Sequence, residues 1–326
     1  MKRAMSSWRR RSVFAVSAGL LALLVVAHLL PAGRDTLLVR ELFNLGHVWV
    51  YGGAALVWLA WRRRHRRALA ARDFLVVGIG MVGLGVALEA LQIAGPRDAS
   101  LGDVVFDAAG VLVAFLVAVS FDARTVSGST RRPRRWMFLS LAALLLAATM
   151  LPLARTSWFY WQQARQFPLL YGFDEDWERS FLGARDAQIR LVPAPSAWQR
   201  TGAGHAARVT FYPANYPSLH LEEPRGDWRG WRSLALDVYA EQDQPPDLHV
   251  RIDDRWHDQT YDDRFTGRIS LRRGFQRVRV DLDEVRSAPR TRELDMSAIT
   301  DVILFLVEPP APVTLWVDNI RLEGPE

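Results

Sequence analysis

The chain has 326 residues, with 41 Lys and Arg against 35 Asp and Glu, and it contains no cysteine. The lack of cysteine excludes disulfides and thiolate metal sites. The basic excess lies in short runs beside apolar stretches, a membrane pattern that argues against nucleic-acid binding. Residues 1–157 hold 20 basic and 8 acidic residues, whereas residues 158–326 hold 21 and 27. This difference predicts two domains.

Five apolar segments in the first half are long enough to cross a bilayer as helices, which takes about 20 residues each. The predicted helices are 12–30, 43–61, 74–92, 103–121 and 136–154. Loops on one side of these helices carry 16 basic residues, and loops on the other side carry four. The positive-inside rule therefore places the N-terminus in the cytoplasm and everything after Ala154 outside. The first segment is expected to be retained, because no small-x-small cleavage site follows it.

The predicted architecture is an all-α transmembrane bundle of about five helices followed by an all-β sandwich. The transmembrane domain is predicted over 1–157, a juxtamembrane linker over 158–171, and the extracytoplasmic β domain over 172–326.

Polar and ionisable residues gather at the outer end of the predicted helices. They are His47, Glu89, Gln92, Arg97, Ser100, Asp103 and Asp107. Such residues within a membrane are costly, so they are candidates for a functional site. Two interpretations stay open. One is a structural cluster in which Arg97 pairs with the carboxylates, and the other is an outward-facing pocket for a polar headgroup or an acid–base site.

The spacing of these residues resembles that of a known family. The motif consists of His47 on an earlier helix, Glu89-x-x-Gln92, Arg97-x-x-Ser100-x-x-Asp103 and Asp107-x-x-Gly110. Over residues 12–121 this pattern is similar to the VanZ-like family of bacterial membrane proteins, which is named for low-level resistance to the glycopeptide teicoplanin. The resemblance implies a role at the bacterial cell envelope and brings no established reaction with it.

The second half alternates apolar and polar residues in short runs that are separated by Pro, Gly and Asp, which predicts strands and turns. The predicted strands are Gln188–Val192, Ala207–Tyr212, Ser218–Glu222, Ser233–Tyr239, Leu248–Asp253, Arg268–Leu271, Gln276–Leu282, Asp301–Val307 and Val313–Leu322. Nine short strands at this spacing favour a β-sandwich.

Four segments carry a second resemblance. They are Asp227-Trp228-x-Gly230-Trp231, Leu248-x-Val250-Arg251-Ile252, Gly274-Phe275-x-x-Val278 and Leu315-Trp316-Val317-Asp318. This half is similar to the galactose-binding-like jelly rolls, many of which are carbohydrate-binding modules. The resemblance implies a jelly-roll fold and a glycan or peptidoglycan-related ligand.

One segment of the β domain is unusually rich in aromatic and charged residues. Its candidate ligand-binding residues are Asp254, Arg255, Trp256, His257, Tyr261 and Arg264. Aromatic faces stack on sugar rings, and carboxylate and guanidinium groups bond to hydroxyls. The alternative is a loop whose arginines pair with its own aspartates.

Clustered acids suggest a metal as the only cofactor, namely a structural calcium held by Asp174, Asp176 and Asp318. Jelly rolls of this type often bring their first and last strands together around such an ion. The alternative is that these acids are solvated at the surface.

The leading functional hypothesis is a non-catalytic protein of the bacterial cytoplasmic membrane. Its outer sandwich would recognise a glycan, its bundle would hold a lipid or glycolipid headgroup, and tolerance to glycopeptide antibiotics or envelope stress would follow. A second hypothesis is an enzyme acting on a lipid-linked envelope precursor, with Glu89 or Asp103 as general base, Arg97 holding a phosphate and His47 carrying a proton. A third treats the sandwich as a docking module for another envelope protein.

Overall fold

The computed structural model describes residues 36–66, 69–92, 101–122, 131–198 and 204–324. The chain divides between Ser157 and Trp158 into a helical unit and a β-rich unit. The predicted first helix, 12–30, lies outside the described residues.

Four long helices form the first part of the described chain. They are α1 (Leu37–Arg66), α2 (Ala71–Gln92), α3 (Leu101–Ser120) and α4 (Arg131–Gln166). All four are long and apolar enough to cross a membrane. They correspond to the second to fifth predicted helices. All four begin before the predicted residue, and α1 and α4 also end beyond the predicted bound. Apolarity marks the bilayer-spanning part of a helix, whereas the backbone hydrogen bonds continue into the polar flanks.

Glycines bring α1 and α3 into close contact. A Cβ atom added at Gly110 of α3 would lie 2.4 Å from the carbonyl oxygen of Val48. A Cβ atom at Gly52 of α1 would lie 2.8 Å from the carbonyl oxygen of Gly110. Small residues at such crossings let helix backbones approach each other, which is how helices associate within lipid.

Replacing Gly110 with alanine is expected to separate α1 from α3, because the new methyl group would overlap the backbone of Val48. The loss should be about 1–3 kcal/mol, as for other overpacked sites. Thermal unfolding of the detergent-solubilised chain, followed by fluorescence-detected size-exclusion chromatography, would measure it. Gly53→Ala is the matched control on α1, since no atom lies within 4 Å of its added Cβ. Equal melting temperatures for the two variants would contradict the close crossing.

The second unit is a sandwich of two antiparallel sheets. Its strands are β1 (Leu169–Tyr171), β2 (Leu182–Arg185), β3 (Ala187–Pro193), β4 (His205–Phe211), β5 (Ser218–Glu222), β6 (Ser233–Ala240), β7 (Leu248–Asp254), β8 (Phe265–Ile269), β9 (Gly274–Asp281), β10 (Ile299–Phe305) and β11 (Val313–Glu323). One sheet has the order β3-β4-β11-β6-β9, with β1 also paired to β11, and the other has the order β2-β5-β10-β7-β8. The predicted architecture, membrane-length helices followed by an all-β sandwich, is confirmed.

The segment predicted as a linker, 158–171, is instead structured. It contains the last turns of α4 and all of β1. The ring of Phe159 lies 6.3 Å from that of Trp177, and the side-chain amide of Gln163 donates a 2.9 Å hydrogen bond to the carbonyl of Glu223. These contacts lie within the β-rich unit, which begins at Trp158 and not at residue 172.

The end of β9 also differs from the prediction. The strand stops at Asp281, and a short helix, α5 (Leu282–Ser287), follows it. The Asp281 carboxylate accepts hydrogen bonds from the backbone N–H groups of Asp283 and Glu284 at 2.7 and 3.3 Å. An N-cap of this kind starts a helix and ends the strand pattern.

Candidate functional site

Within the helical unit, the structure brings together two of the predicted site residues. His47 Nδ1 of α1 lies 2.8 Å from Asp107 Oδ1 of α3. Asp107 is only 1% exposed. The Tyr51 ring is nearly parallel to the His47 imidazole, with 6.2 Å between centroids. A Cβ atom at Gly85 of α2 would lie 2.3 Å from Asp107 Oδ2, so α2 also closes over this carboxylate.

The other predicted residues of this cluster are placed less fully. Asp103 lies in the first turn of α3 and is half-buried. Glu89 and Gln92 belong to α2, but their side chains are not among those described, and Arg97 and Ser100 lie outside the described residues. The pocket interpretation of this cluster therefore stays a prediction.

A cleft of about 520 Å³ opens on the outer face of the sheet β2-β5-β10-β7-β8. Its lining residues come from all five strands and three neighbouring loops. They are Arg185, Tyr216, Ser218, His220, His249, Arg251, Tyr261, Arg264, Thr266, Ile303, Phe305 and Val307.

Strand register explains why these side chains share one face. Arg251 of β7, Ile303 of β10 and His220 of β5 lie side by side across three strands. One row further on, His249, Phe305 and Ser218 are aligned in the same way. The residues between them point inward, because side chains alternate along a strand. These inward residues are the buried core of the sheet: Leu219, Leu221, Val250, Ile252, Val302 and Leu304.

Aromatic rings stand at both sides of the cleft. Phe305 stacks on the His249 imidazole with 5.1 Å between centroids, and Tyr216 meets Phe305 edge-on at 6.1 Å. Across the cleft, the Tyr261 side chain is 66% exposed, and the Arg264 guanidinium lies over its ring at 5.1 Å. These rings offer open faces and edges to a ligand.

Polar groups in the cleft fall into two sets. Arg251 donates to Asp253 at 2.6 Å, and Ser218 Oγ and His220 Nε2 are hydrogen-bonded at 2.9 Å, so these groups are satisfied within the domain. In contrast, three polar atoms in the cleft are buried and have no hydrogen-bond partner within the described part of the chain. They are His249 Nδ1, Arg264 Nε and Thr266 Oγ1. Unmade hydrogen bonds of this kind are costly, and a bound polar ligand would restore them.

Burial alters the ionisation of the cleft. It lowers the pKa of His220 and of His249 from the ordinary value of 6.5. It also lowers the pKa of Arg264, and the neighbouring positive charge of Arg251 adds to that shift. Both imidazoles are therefore expected to be neutral at pH 7, where each offers one donor and one acceptor.

We expect a histidine titration of the folded chain, followed by NMR, to show midpoints below 6.5 for His220 and His249. His220→Gln and His249→Gln would assign the two signals. Because the unfolded chain binds these protons more readily than the folded chain, stability should fall as the pH drops from 6.5 towards the folded pKa values. Midpoints above 6.5 would contradict the burial of these side chains.

The segment predicted to bind a ligand contains two kinds of residue. Some are buried in a polar network, and others are exposed to solvent. Arg292 bridges Asp254 and Asp263, with contacts of 2.5 Å to each carboxylate. It lowers the pKa of Asp263 to about 2. Asp254 and His257 are buried in this network, whereas Arg255 and Trp256 are exposed and do not line the cleft.

His257 joins this network to the cleft. Its Nε2 accepts a 3.0 Å hydrogen bond from Arg251, and its Nδ1 donates to the carbonyl of Asp263 at 2.9 Å. Because an arginine can only donate, these two contacts specify a neutral imidazole that carries its proton on Nδ1. Of the predicted segment, only Tyr261 and Arg264 reach the cleft.

Replacing Arg292 with methionine should leave two buried carboxylates without their shared partner and destabilise the β-rich unit by about 3 kcal/mol. Urea unfolding of the detergent-solubilised chain, followed by tryptophan fluorescence, would measure the loss. Arg273→Met is the control, because Arg273 forms an exposed pair with Asp243 and such pairs contribute little. If both variants unfold at the same urea concentration, the network does not stabilise the loop.

Each of the acids predicted to hold calcium makes another contact, and the calcium site stays a prediction. Asp174 accepts a 2.7 Å hydrogen bond from the backbone N–H of His205, and Asp176 is exposed beside Arg179. Asp318 is buried in β11 and accepts from the N–H of Asn319. A different group of potential ligands lies close together among the described residues. It comprises His257, Asp258 and Asp263, whose ligand atoms lie within 4.8 Å of one another.

A second aromatic cluster lies on the outer face of the other sheet. Trp198 stacks on Tyr239 at 6.0 Å, and Tyr239 meets Trp316 edge-on at 5.8 Å. All three side chains are buried. Their faces cover one another, whereas the Tyr261 ring of the cleft is exposed.

Comparisons with known proteins concern the β-rich unit. A family 11 carbohydrate-binding module of a Clostridium thermocellum cellulase is 14% identical, covering 48% of this chain and 94% of its own, with a TM-score of 0.36. A family 30 module is 13% identical, covering 44% and 92%, with a TM-score of 0.35. An exo-beta-agarase is 16% identical over 48% of this chain, with a TM-score of 0.40, and only 25% of its own length is covered. No family model and no curated protein matches the chain, so the VanZ-like resemblance stays a prediction.

Proposed function

We propose that this protein is a membrane-anchored glycan receptor that binds an oligosaccharide in the cleft on the sheet β2-β5-β10-β7-β8. The observation that carries the proposal is the combination of open aromatic rings with unpartnered polar groups in one cleft. Tyr261 is exposed on one side, and the buried atoms His249 Nδ1 and Thr266 Oγ1 lack partners among the described residues.

Sugars present both kinds of surface that the cleft complements. The C–H face of a pyranose ring packs against an aromatic ring, and the equatorial hydroxyls both donate and accept hydrogen bonds. A neutral His249 and the hydroxyl of Thr266 can do the same. The cleft volume of about 520 Å³ lies within the range of small-molecule sites, roughly 300–1,000 Å³.

The membrane part supports a position at the bacterial envelope. Sixteen basic residues lie on one side of the five predicted helices and four on the other, which favours a cytoplasmic N-terminus and an extracytoplasmic β-rich unit in the cytoplasmic membrane. We further propose that the helical unit holds a lipid headgroup near His47 and Asp107 without catalysing a reaction, and that it contributes to glycopeptide tolerance as the VanZ-like motif suggests. A retained cellular phenotype in Glu89→Gln and Arg97→Ala variants would exclude the rival enzyme acting on a lipid-linked precursor.

The direct test is to screen the full-length, detergent-solubilised chain against cell-wall glycans and soluble polysaccharides. Binding of at least one oligosaccharide is expected, and binding of none would overturn the proposal. Retention of an envelope protein in place of any glycan would favour the docking module. A fragment starting at Gly172 is unsuitable, because it lacks β1 and the buried side chains of Leu170 and Tyr171.

One tyrosine variant and one tryptophan variant would locate the binding site. Tyr261→Ala should weaken oligosaccharide binding about tenfold, because it removes a stacking face from the cleft. Trp256→Ala removes an equally exposed ring, 64% against 66%, that does not line the cleft. Isothermal titration calorimetry would compare the two. Loss of binding in Trp256→Ala alone would place the site elsewhere on the domain.

A further inference from the structure

The walls of the cleft are basic. Three arginines and two histidines line it, namely Arg185, Arg251, Arg264, His220 and His249. No Asp or Glu is present among the described residues that line it. A cleft suited to neutral sugars gains from carboxylates, which accept hydrogen bonds from hydroxyls. The two imidazoles are expected to be neutral at pH 7, so the charge of this cleft comes from its arginines.

The charge of Arg251 is already balanced. Its guanidinium contacts the Asp253 carboxylate at 2.6–3.0 Å through both Nε and a terminal nitrogen. Asp253, two residues further along the same face of β7, is itself buried. Arg251 is therefore a fixed part of the cleft wall.

Arg264 differs from Arg251 in each of these respects. No carboxylate oxygen lies within 4.0 Å of its guanidinium in the described part of the chain. Its Nε is buried and donates no hydrogen bond, while the Tyr261 ring holds the guanidinium at 5.1 Å. Burial and the charge of Arg251 both disfavour its positive charge, which lowers its pKa. An incoming anion would relieve all of these costs at once.

We infer that the cleft selects an acidic glycan, whose anionic group is bound by the guanidinium of Arg264. The inference rests on the proposed function and specifies its ligand class. A uronate carboxylate and a sugar sulfate share the required chemistry, since each accepts paired hydrogen bonds from a guanidinium. The sugar ring that carries the group would then pack against Tyr261, beside the same arginine.

The test compares matched oligosaccharides on the full-length chain in a zwitterionic detergent. The probes are an oligogalacturonate, the same oligomer with its carboxylates reduced to alcohols, and a sulfated galactose oligomer of equal length. Isothermal titration calorimetry at low and high salt would give each Kd. At least one acidic oligomer should bind about 10- to 100-fold more tightly than the neutral one, the range of a charge-assisted hydrogen bond. Whichever acidic oligomer binds more tightly identifies carboxylate or sulfate as the recognised group.

Variants test the assigned residue. Arg264→Gln should abolish the preference, so that the acidic and the neutral oligomer bind with similar Kd values, since the aromatic face that remains does not distinguish them. Arg190→Gln is the control, because it removes the same charge from an exposed position on β3. Equal loss in both variants would mean that net charge alone attracts the ligand, which overturns the assignment to Arg264. Melting temperatures verify folding, and Arg264→Lys provides a second variant that keeps the charge and should recover only part of the preference.

The two claims fail in different ways. If the neutral oligomer binds as tightly as both acidic ones, the selectivity is refuted while glycan binding stands. If no oligosaccharide of either charge binds, the proposed function itself fails.

Discussion

Alternation of side chains along β5, β7 and β10 is the constraint on which the candidate site depends. The inward positions of these strands are aliphatic and bury Leu219, Val250 and Leu304 against the other sheet. Because the strand period is two, the intervening positions must face outward. Hydrophobic burial thus fixes the strand register, and the register in turn places His220, His249 and Phe305 on one outer face. A slip of one residue in the register of a strand would turn its cleft residues inward and its core residues outward.

A polar network sets the other wall of the cleft. The loop between β7 and β8 leaves the sheet at Asp254 and returns after Asp263, and Arg292 holds both carboxylates. Tyr261 and Arg264 lie on either side of Asp263, so their positions follow from this clamp. His257 connects the clamp to Arg251 in the sheet. The charged and aromatic residues of this loop therefore have two roles. Asp254, His257 and Asp263 hold the loop in place, and Tyr261 and Arg264 line the cleft.

Much of the fold could be predicted from local sequence. Ser218–Glu222 has identical predicted and observed bounds, and the apolar runs located four helices, because both patterns repeat over neighbouring residues. The cleft could not be found in this way, since its residues come from strands that are distant in sequence and adjacent only in the order β2-β5-β10-β7-β8. His249 and Phe305 appear in sequence as ordinary positions of an alternating strand. Only the pairing of β7 with β10 brings them together.

The central claim is that a sugar occupies the cleft rather than another face of the β-rich unit. An experimental structure of the full-length chain with a bound oligosaccharide tests this most directly. Sugar density is expected between Tyr261 and Phe305, within hydrogen-bond distance of His249 Nδ1 and Thr266 Oγ1. Density over the buried aromatic cluster of Trp198, Tyr239 and Trp316, with the cleft empty, would contradict it.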